Sequence, residues 1–416
     1  MNQTADQSLL SVKNYGWRVT FAGMGINLAL GILYTWSVIS KGIPAEWGWT
    51  EAQRSMPYMF ACLIFALMMV PAGRMQDKIG PRIVATIGGI LVGIGFIIAS
   101  LTTSLWGFII GFGILAGTGI GFGYASATPP AVKWFAAAKT GMIAGIVVSG
   151  FGLASAYASP LTKYLIAHYG LQQSILILGI GFLVIVIVLA QLLRIPPAGY
   201  IPAGTPVSGK TISVSVKENF QPSEMLSTFQ FFVIWFIYAC GSGAGLMVIS
   251  KVAKIVQVQA GSEAGYVLVA IMAIGNGGGR ILAGMLSDKI GRKNTLLMCQ
   301  LGQAILLLVL SQVQLGSFLA NMTVLSVVFA LIGANYGANL CLFPSLTKDL
   351  FGLKNFGVNY GLVFTAWGIG GFILPYMAGK IYDLNQSFTI AYYGASGLLV
   401  LAAVAVFALK PPQRKA

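Results

Sequence analysis

The stretch GYVLVAIMAIGNGGGRILAGMLSDKIGRK, Gly265 to Lys293, carries no charge for its first fifteen residues, then a single arginine, Arg280, and then the cluster DKIGRK. An uncharged run of this kind approaches the roughly 20 residues a helix needs to cross about 30 Å of hydrocarbon. The Gly-containing, basic ending reads as the turn where such a helix returns to water. The ending also occurs earlier in the chain: GRMQDKIGPR begins at Gly73 and GMLSDKIGRK at Gly284. The copies share Gly73 with Gly284, Asp77 with Asp288, and a basic end that includes Arg82 in one and Arg292 in the other. One such turn is commonplace, but two in equivalent places point to a duplicated structural or gating element. In it the aspartates meet a helix N-terminus or nearby cations, and the glycines let helices and turn approach closely.

The rest of the chain agrees. Of 416 residues, 57% are hydrophobic and 8% charged, where a soluble domain has about a quarter charged. Apolar runs predict twelve membrane-crossing helices, at about 16–40, 53–72, 83–102, 105–130, 140–166, 172–193, 229–250, 263–286, 294–312, 318–344, 356–379 and 388–409. The fold class is therefore an all-α integral membrane protein of two six-helix bundles, 1–193 and 228–416. They are joined by a Pro-, Gly- and Ser-rich linker, 194–227, on the water side. The polar N-terminus shows no removable signal peptide, leaving the first helix as the insertion signal.

Most of the 25 Lys and Arg fall on the side of the DKIG turns and the linker; Lys41, Arg54, Lys163, Lys251, Lys254 and Lys380 fall on the other. By the positive-inside rule both termini are cytoplasmic, and the net charge of +15 reports topology and contact with the lipid bilayer, not nucleic acid. Cys62, Cys240, Cys299 and Cys341 stand alone in separate helices beside one histidine, so neither a metal site nor a cofactor is expected. GFGILAGTGIGFGYASATPP, from Gly111, has no Walker lysine and no preceding strand; its small residues serve helix packing. Pro129, Pro130, Pro160, Pro344 and Pro375 bend helices.

Eight residues separate Arg280 from Asp288, about 12 Å of helix, which places the arginine inside the hydrocarbon zone. An arginine there costs on the order of 3 kcal/mol and calls for a partner. All ten acids, Asp6, Glu46, Glu51, Asp77, Glu218, Glu224, Glu263, Asp288, Asp349 and Asp383, fall in expected loops or at helix ends. The partner is therefore expected to come from outside the protein. A guanidinium's planar fork fits a carboxylate. Asn276, one turn earlier on the same face, orients the guanidinium or bonds a substrate hydroxyl, or else makes an interhelical contact. Tyr34, Tyr124, Asn335 and Tyr336 place polar groups at mid-membrane depth, and Trp367 is either cavity wall or core.

Twelve helices as six plus six, with GxxxDKxGxR after the second and eighth, resemble the major facilitator superfamily. KWFAAAKTGMIAGIVVSGFGLAS (133–155), SEMLSTFQFFVIW from Ser223 and GGGRILAGMLSDKIGRKNT from Gly277 resemble the monocarboxylate transporter family and its bacterial oxalate/formate antiporter relatives. Tyr34 and Tyr124 stand where those relatives place aromatics. The resemblance implies a monomeric secondary transporter in the bacterial inner membrane. It would carry a small monocarboxylate, L-lactate first and pyruvate-like acids beside it, by rocking two halves about a central site. It also implies proton symport, although Asn276 stands where the animal members carry an acid and no lysine lies between Arg18 and Lys41. Carboxylate exchange without a proton is the alternative. The oxalate relatives add a lysine on helix eleven, where this chain aligns Trp367; one cation suits one carboxylate. His168, at the outer end of helix five, is a poor proton carrier for that site. A membrane enzyme lacks its nucleophile and base here, and a sensor lacks an output domain. A sugar carrier would need no arginine, and a cationic-drug exporter would want an acid in the cavity.

Overall fold

The structure is a computed structural model that describes residues 14–136, 139–197, 200, 202, 219–352, 355–410 and 412. Much of the expected linker lies outside them, as do Lys13, Lys210, Lys217, Lys354, Arg414 and Lys415 of the charge argument and the acids Asp6 and Glu218.

The described chain is helical, with no strand. Long helices run over α1 (Gly16–Lys41), α2 (Glu51–Ile79), α3 (Pro81–Ser100) and α4 (Leu105–Val132). The helical segment Thr140–Ala190 is broken at Gly170, whose φ of 75° and ψ of 170° end one helix, α5 (140–169), and start the next, α6 (171–190). Then follow α7 (Phe229–Ala260), α8 (Gly265–Ile290), α9 (Arg292–Ser311), α10 (Met322–Phe351), α11 (Phe356–Asn385) and α12 (Thr389–Val406). Packing is dense inside each set of six, with α1 on α5, α7 on α11 and α8 on α10. The sets meet chiefly through α2 against α11 and α5 against α8.

Both DKIG turns adopt one geometry. Gly80 and Gly291 share φ 88° and ψ 156°, with their N–H groups donating to Gln76 O and Ser287 O. Such a φ is open to glycine and strained for most other residues. In the second copy Arg292 reaches Asp288 at 2.8 Å and Asp349 at 3.5 Å, and donates to Ser287 Oγ. The charged turn is therefore tied to the end of α10.

Several helices run past their apolar stretches, α10 to Phe351 and α11 to Asn385 among them. α2 continues to Ile79, and α7, expected to stop near 250, continues to Ala260, where Gly261 at φ 64° caps it. Charges end an apolar run but not a backbone hydrogen-bond ladder, so Lys251 and Lys254 belong to the helix. The end of the expected linker is also ordered. Phe220 N donates to Phe351 O, and its carbonyl accepts from Asn355 and Asn359 at 3.0 and 3.1 Å.

Candidate functional site

α8 is pressed onto α10 by glycines on both. A Cβ at Gly275, Gly279, Gly333 or Gly337 would overlap a backbone carbonyl of the other helix. Arg280 follows Gly279, about 100° further round, so its side chain points away from α10 and toward α5. There it is laid over Gly152: a Cβ at that position would stand 3.2 Å from Nη2 and 3.3 Å from Cζ and Nε.

Arg280 is 8% exposed. Its Nε donates to Asn276 Oδ1 at 3.2 Å, and its Nη1 donates across the halves to the Val148 carbonyl at 2.9 Å. Gly152, one turn after Val148, leaves that carbonyl uncovered. Buried Nη2 has no hydrogen-bond partner, and among the described residues no carboxylate pairs with this arginine. A buried donor left unsatisfied costs about 1–3 kcal/mol. Two of the three nitrogens nevertheless have partners, a fuller satisfaction than the sequence implied.

Tyr34 and Tyr336, on opposite halves, share a hydrogen bond of 2.6 Å, and Trp367 Nε1 donates to the Tyr336 hydroxyl at 2.8 Å. Asn276 and Tyr34 border a narrow gap together with Ser155 and apolar side chains of α7 and α8. Tyr124 packs edge-on against Phe65 and Phe151, and Phe65 in turn meets Trp367, with centroids 5.2–5.4 Å apart. Tyr34 lies within electrostatic range of the Arg280 guanidinium, and the Tyr124 hydroxyl approaches the guanidinium closely enough for a weak hydrogen-bonding interaction that leaves Nη2 short of a full bond.

Asn335 stands apart from this group. Its amide donates to Leu331 O and faces Gly302 of α9; one residue before Tyr336, it lies about 100° off the face that reaches α1. His168 bonds Tyr164 O at the exposed end of α5, remote from Arg280. The sequence did not announce Val148 or Gly152 as neighbours of the arginine, nor Phe65 and Phe151 as neighbours of Tyr124. A backbone acceptor carries no sequence signal, and phenylalanines abound in membrane helices.

The sequence matches the Major Facilitator Superfamily over residues 29–308 and 256–416. The chain belongs to the Major Facilitator Superfamily. It is a multi-pass membrane transporter rather than an enzyme. It is 27% identical over 361 residues to the uncharacterized MFS-type transporter YhjX of Escherichia coli, covering 85% of each chain. It is 27% identical to the oxalate:formate antiporter of Oxalobacter formigenes, covering 88% of this chain and 84% of that one. To human monocarboxylate transporter 11 it is 24% identical, covering 93% and 81%. Among solved structures, a bacterial homologue of the human lysosomal transporter Spinster, inward-facing and unoccupied, superposes with a TM-score of 0.69. That match has 18% identity and covers 96% of this chain and 97% of that one, a likeness of fold.

Proposed function

We propose that this superfamily member carries a small monocarboxylate, L-lactate or a pyruvate-like acid, across the bacterial inner membrane by alternating access, with both termini in the cytoplasm. Units 1–193 and 228–416 rock about Arg280. The observation that carries the reading is the buried Nη2 of Arg280, a charged donor with no partner, in a site without an acid. A carboxylate gripped by both terminal nitrogens fills Nη2 and takes Nη1 from Val148. Binding therefore replaces a bond between the halves with a bond to substrate. Asn276 holds Nε throughout, Tyr34 and Tyr336 offer hydroxyls beside the gap, the Tyr124 hydroxyl faces the guanidinium, and Trp367 forms an apolar wall.

A single cation limits the substrate to one carboxylate. Oxalate would bring a second negative charge into a site where Trp367 directs its N–H to Tyr336, leaving that charge uncompensated and costly. Coupling to a proton is the first reading. Exchange of carboxylates without a proton is the second, favoured by the amide of Asn276 at the one position beside Arg280 where an acid could sit. Uptake of labelled L-lactate into proteoliposomes tests both, with an imposed proton gradient and then a protonophore, for wild type and Arg280→Lys. Gradient-driven accumulation that the lysine variant loses by at least about 100-fold supports symport at this site. Uptake that needs an internal carboxylate and ignores the gradient overturns symport. A fully active lysine variant overturns the site.

A further inference from the structure

On the face opposite the DKIG turns, the ends of α1, α2 and α7 enclose a recess of about 320 Å³ that is open to solvent. Four cations line it, Lys41, Arg54, Lys251 and Lys254, against one carboxylate, Glu51. Lys41 is matched by Glu263 from the turn between α7 and α8. Asp383 of α11 spends both oxygens on the N–H groups of Glu51 and Ala52, at 2.7 and 2.8 Å. Glu51 is thus shared by three cations: Lys251 at 3.0 Å, Arg54 at 3.8 Å and Lys254 at 4.0 Å. Asp383 keeps its negative charge while it holds those N–H groups and acts on Lys251, so three cations less two carboxylates leave a surplus of one positive charge.

Lys251 is 2% exposed and also donates to the Glu51 carbonyl. Its pair with Glu51 joins the two halves, so separating them on this face would strip a buried charge of its partner. Lys254 is 30% exposed and can meet a solute. Directly beneath, Ser37 on α1 is three residues from Tyr34. Ile249 and Val252, which flank Ser250 and Lys251, line the narrow gap that ends at Asn276. Recess and gap are thus lined by neighbouring residues of α1 and α7, and the gap reaches Asn276, the partner of Arg280.

Resting on the monocarboxylate reading, we propose that this recess is a docking site for the substrate's carboxylate. The carboxylate displaces the Glu51 carboxylate from Lys251 and so removes one of the contacts that latch the halves, beside those made by Asp383 and by Lys41. The exchange is isoelectric: one carboxylate replaces another on Lys251, and the buried ammonium is never left bare. Docking is then also the step that opens the way to Arg280. Lys254 supplies the attraction and Glu51 is the competitor.

The test is L-lactate transport in proteoliposomes of one known orientation, with KM measured from each face at low and high salt. Lys254→Gln is expected to raise KM about 3- to 10-fold on the recess face at low salt. The effect should fade near 1 M salt, where screening acts within about 3 Å, and KM on the DKIG face should not move. Glu51→Gln, which removes the competitor, is expected to lower recess-face KM about 3-fold, and Lys254→Arg, which keeps the charge, to recover most of the affinity that Lys254→Gln loses. An unchanged KM, an equal rise on both faces, or a rise indifferent to salt overturns the docking site while leaving Arg280's role standing. A wild type that moves no monocarboxylate from either face overturns the transport reading, and the docking site with it.

Discussion

Removing the Tyr336 hydroxyl separates two effects that the structure assigns to different neighbours. That oxygen meets Tyr34 at 2.6 Å across the halves and accepts from Trp367 at 2.8 Å within the second half. Only the first bond is lost when the halves part on the latched face. Tyr34→Phe and Tyr336→Phe each remove it, at about 1 kcal/mol for a neutral hydrogen bond, which is about a fivefold shift of population toward the opened form. Tyr336→Phe also strands the buried Trp367 N–H, a further cost of about 1–3 kcal/mol in every conformation. Spin labels at Glu46→Cys and Ser262→Cys in a cysteine-free background read the population through their separation, and thermal unfolding reads the general cost. The expected result is an equal gain of the long distance in both variants, with a melting midpoint roughly 2–4 °C lower for Tyr336→Phe alone. A distance shift several times larger in Tyr336→Phe than in Tyr34→Phe would refute the division, since Trp367 would then be part of the moving contact.

Two further outcomes follow from packing and charge. Gly279→Ala drives a Cβ into the Ala334 carbonyl, whereas a Cβ at Gly278 meets nothing within 4 Å. The first is expected to cost about 1–3 kcal/mol or more and to lower recovery of monodisperse protein by size exclusion, with Gly278→Ala close to wild type. The Glu263 carboxyl is lowered from its ordinary 4.5 by the hydrogen bond from Lys41, and at 67% exposure the pair is worth at most about 1 kcal/mol. A depressed carboxylate contributes to the latched form above its ordinary value and loses that contribution only as pH falls below it. Glu263→Gln is therefore expected to leave the shape of the pH–transport profile unchanged from about pH 5.5 to 8. A displaced profile in that range would contradict the assignment.

What the sequence disclosed depended on how local the signal was. The uncharged run before Arg280 announces α8 and the depth of the arginine, and a search of ten acids suffices to remove an internal counter-ion. The DKIG repeat announces its own geometry, because only a backbone such as that of Gly80 and Gly291 requires glycine twice in the same place. Hidden were contacts made by groups without a pattern. The Val148 carbonyl is backbone, and Tyr34 finds Tyr336 from 302 residues away. Lys251 was legible as a charge but misplaced, since hydropathy ended α7 ten residues before its hydrogen bonds did. Asn335 stands apart from Tyr336 for a geometric reason: adjacent helical residues face different neighbours, and apolar periodicity is weak where both faces of a helix are buried.

The bond from Arg280 to Val148 also bears on the choice between symport and exchange. A symporter must return empty, so its binding arginine needs partners when no anion is present. An obligate exchanger is served by the opposite arrangement, in which the empty arginine is so poorly satisfied that closure is forbidden. Here Asn276 and Val148 occupy two of the three nitrogens, at 3.2 and 2.9 Å. The residual penalty of the empty form falls on Nη2 alone, about 1–3 kcal/mol for a neutral donor and more for a charged one, at least roughly 5- to 150-fold in population. That is enough for substrate to accelerate the passage between faces, and it is smaller than the penalty of an arginine with no partner on any nitrogen. Net transport is therefore compatible with this site without an acid beside the arginine, because the protein's own carbonyl stands in for the missing carboxylate on the way back.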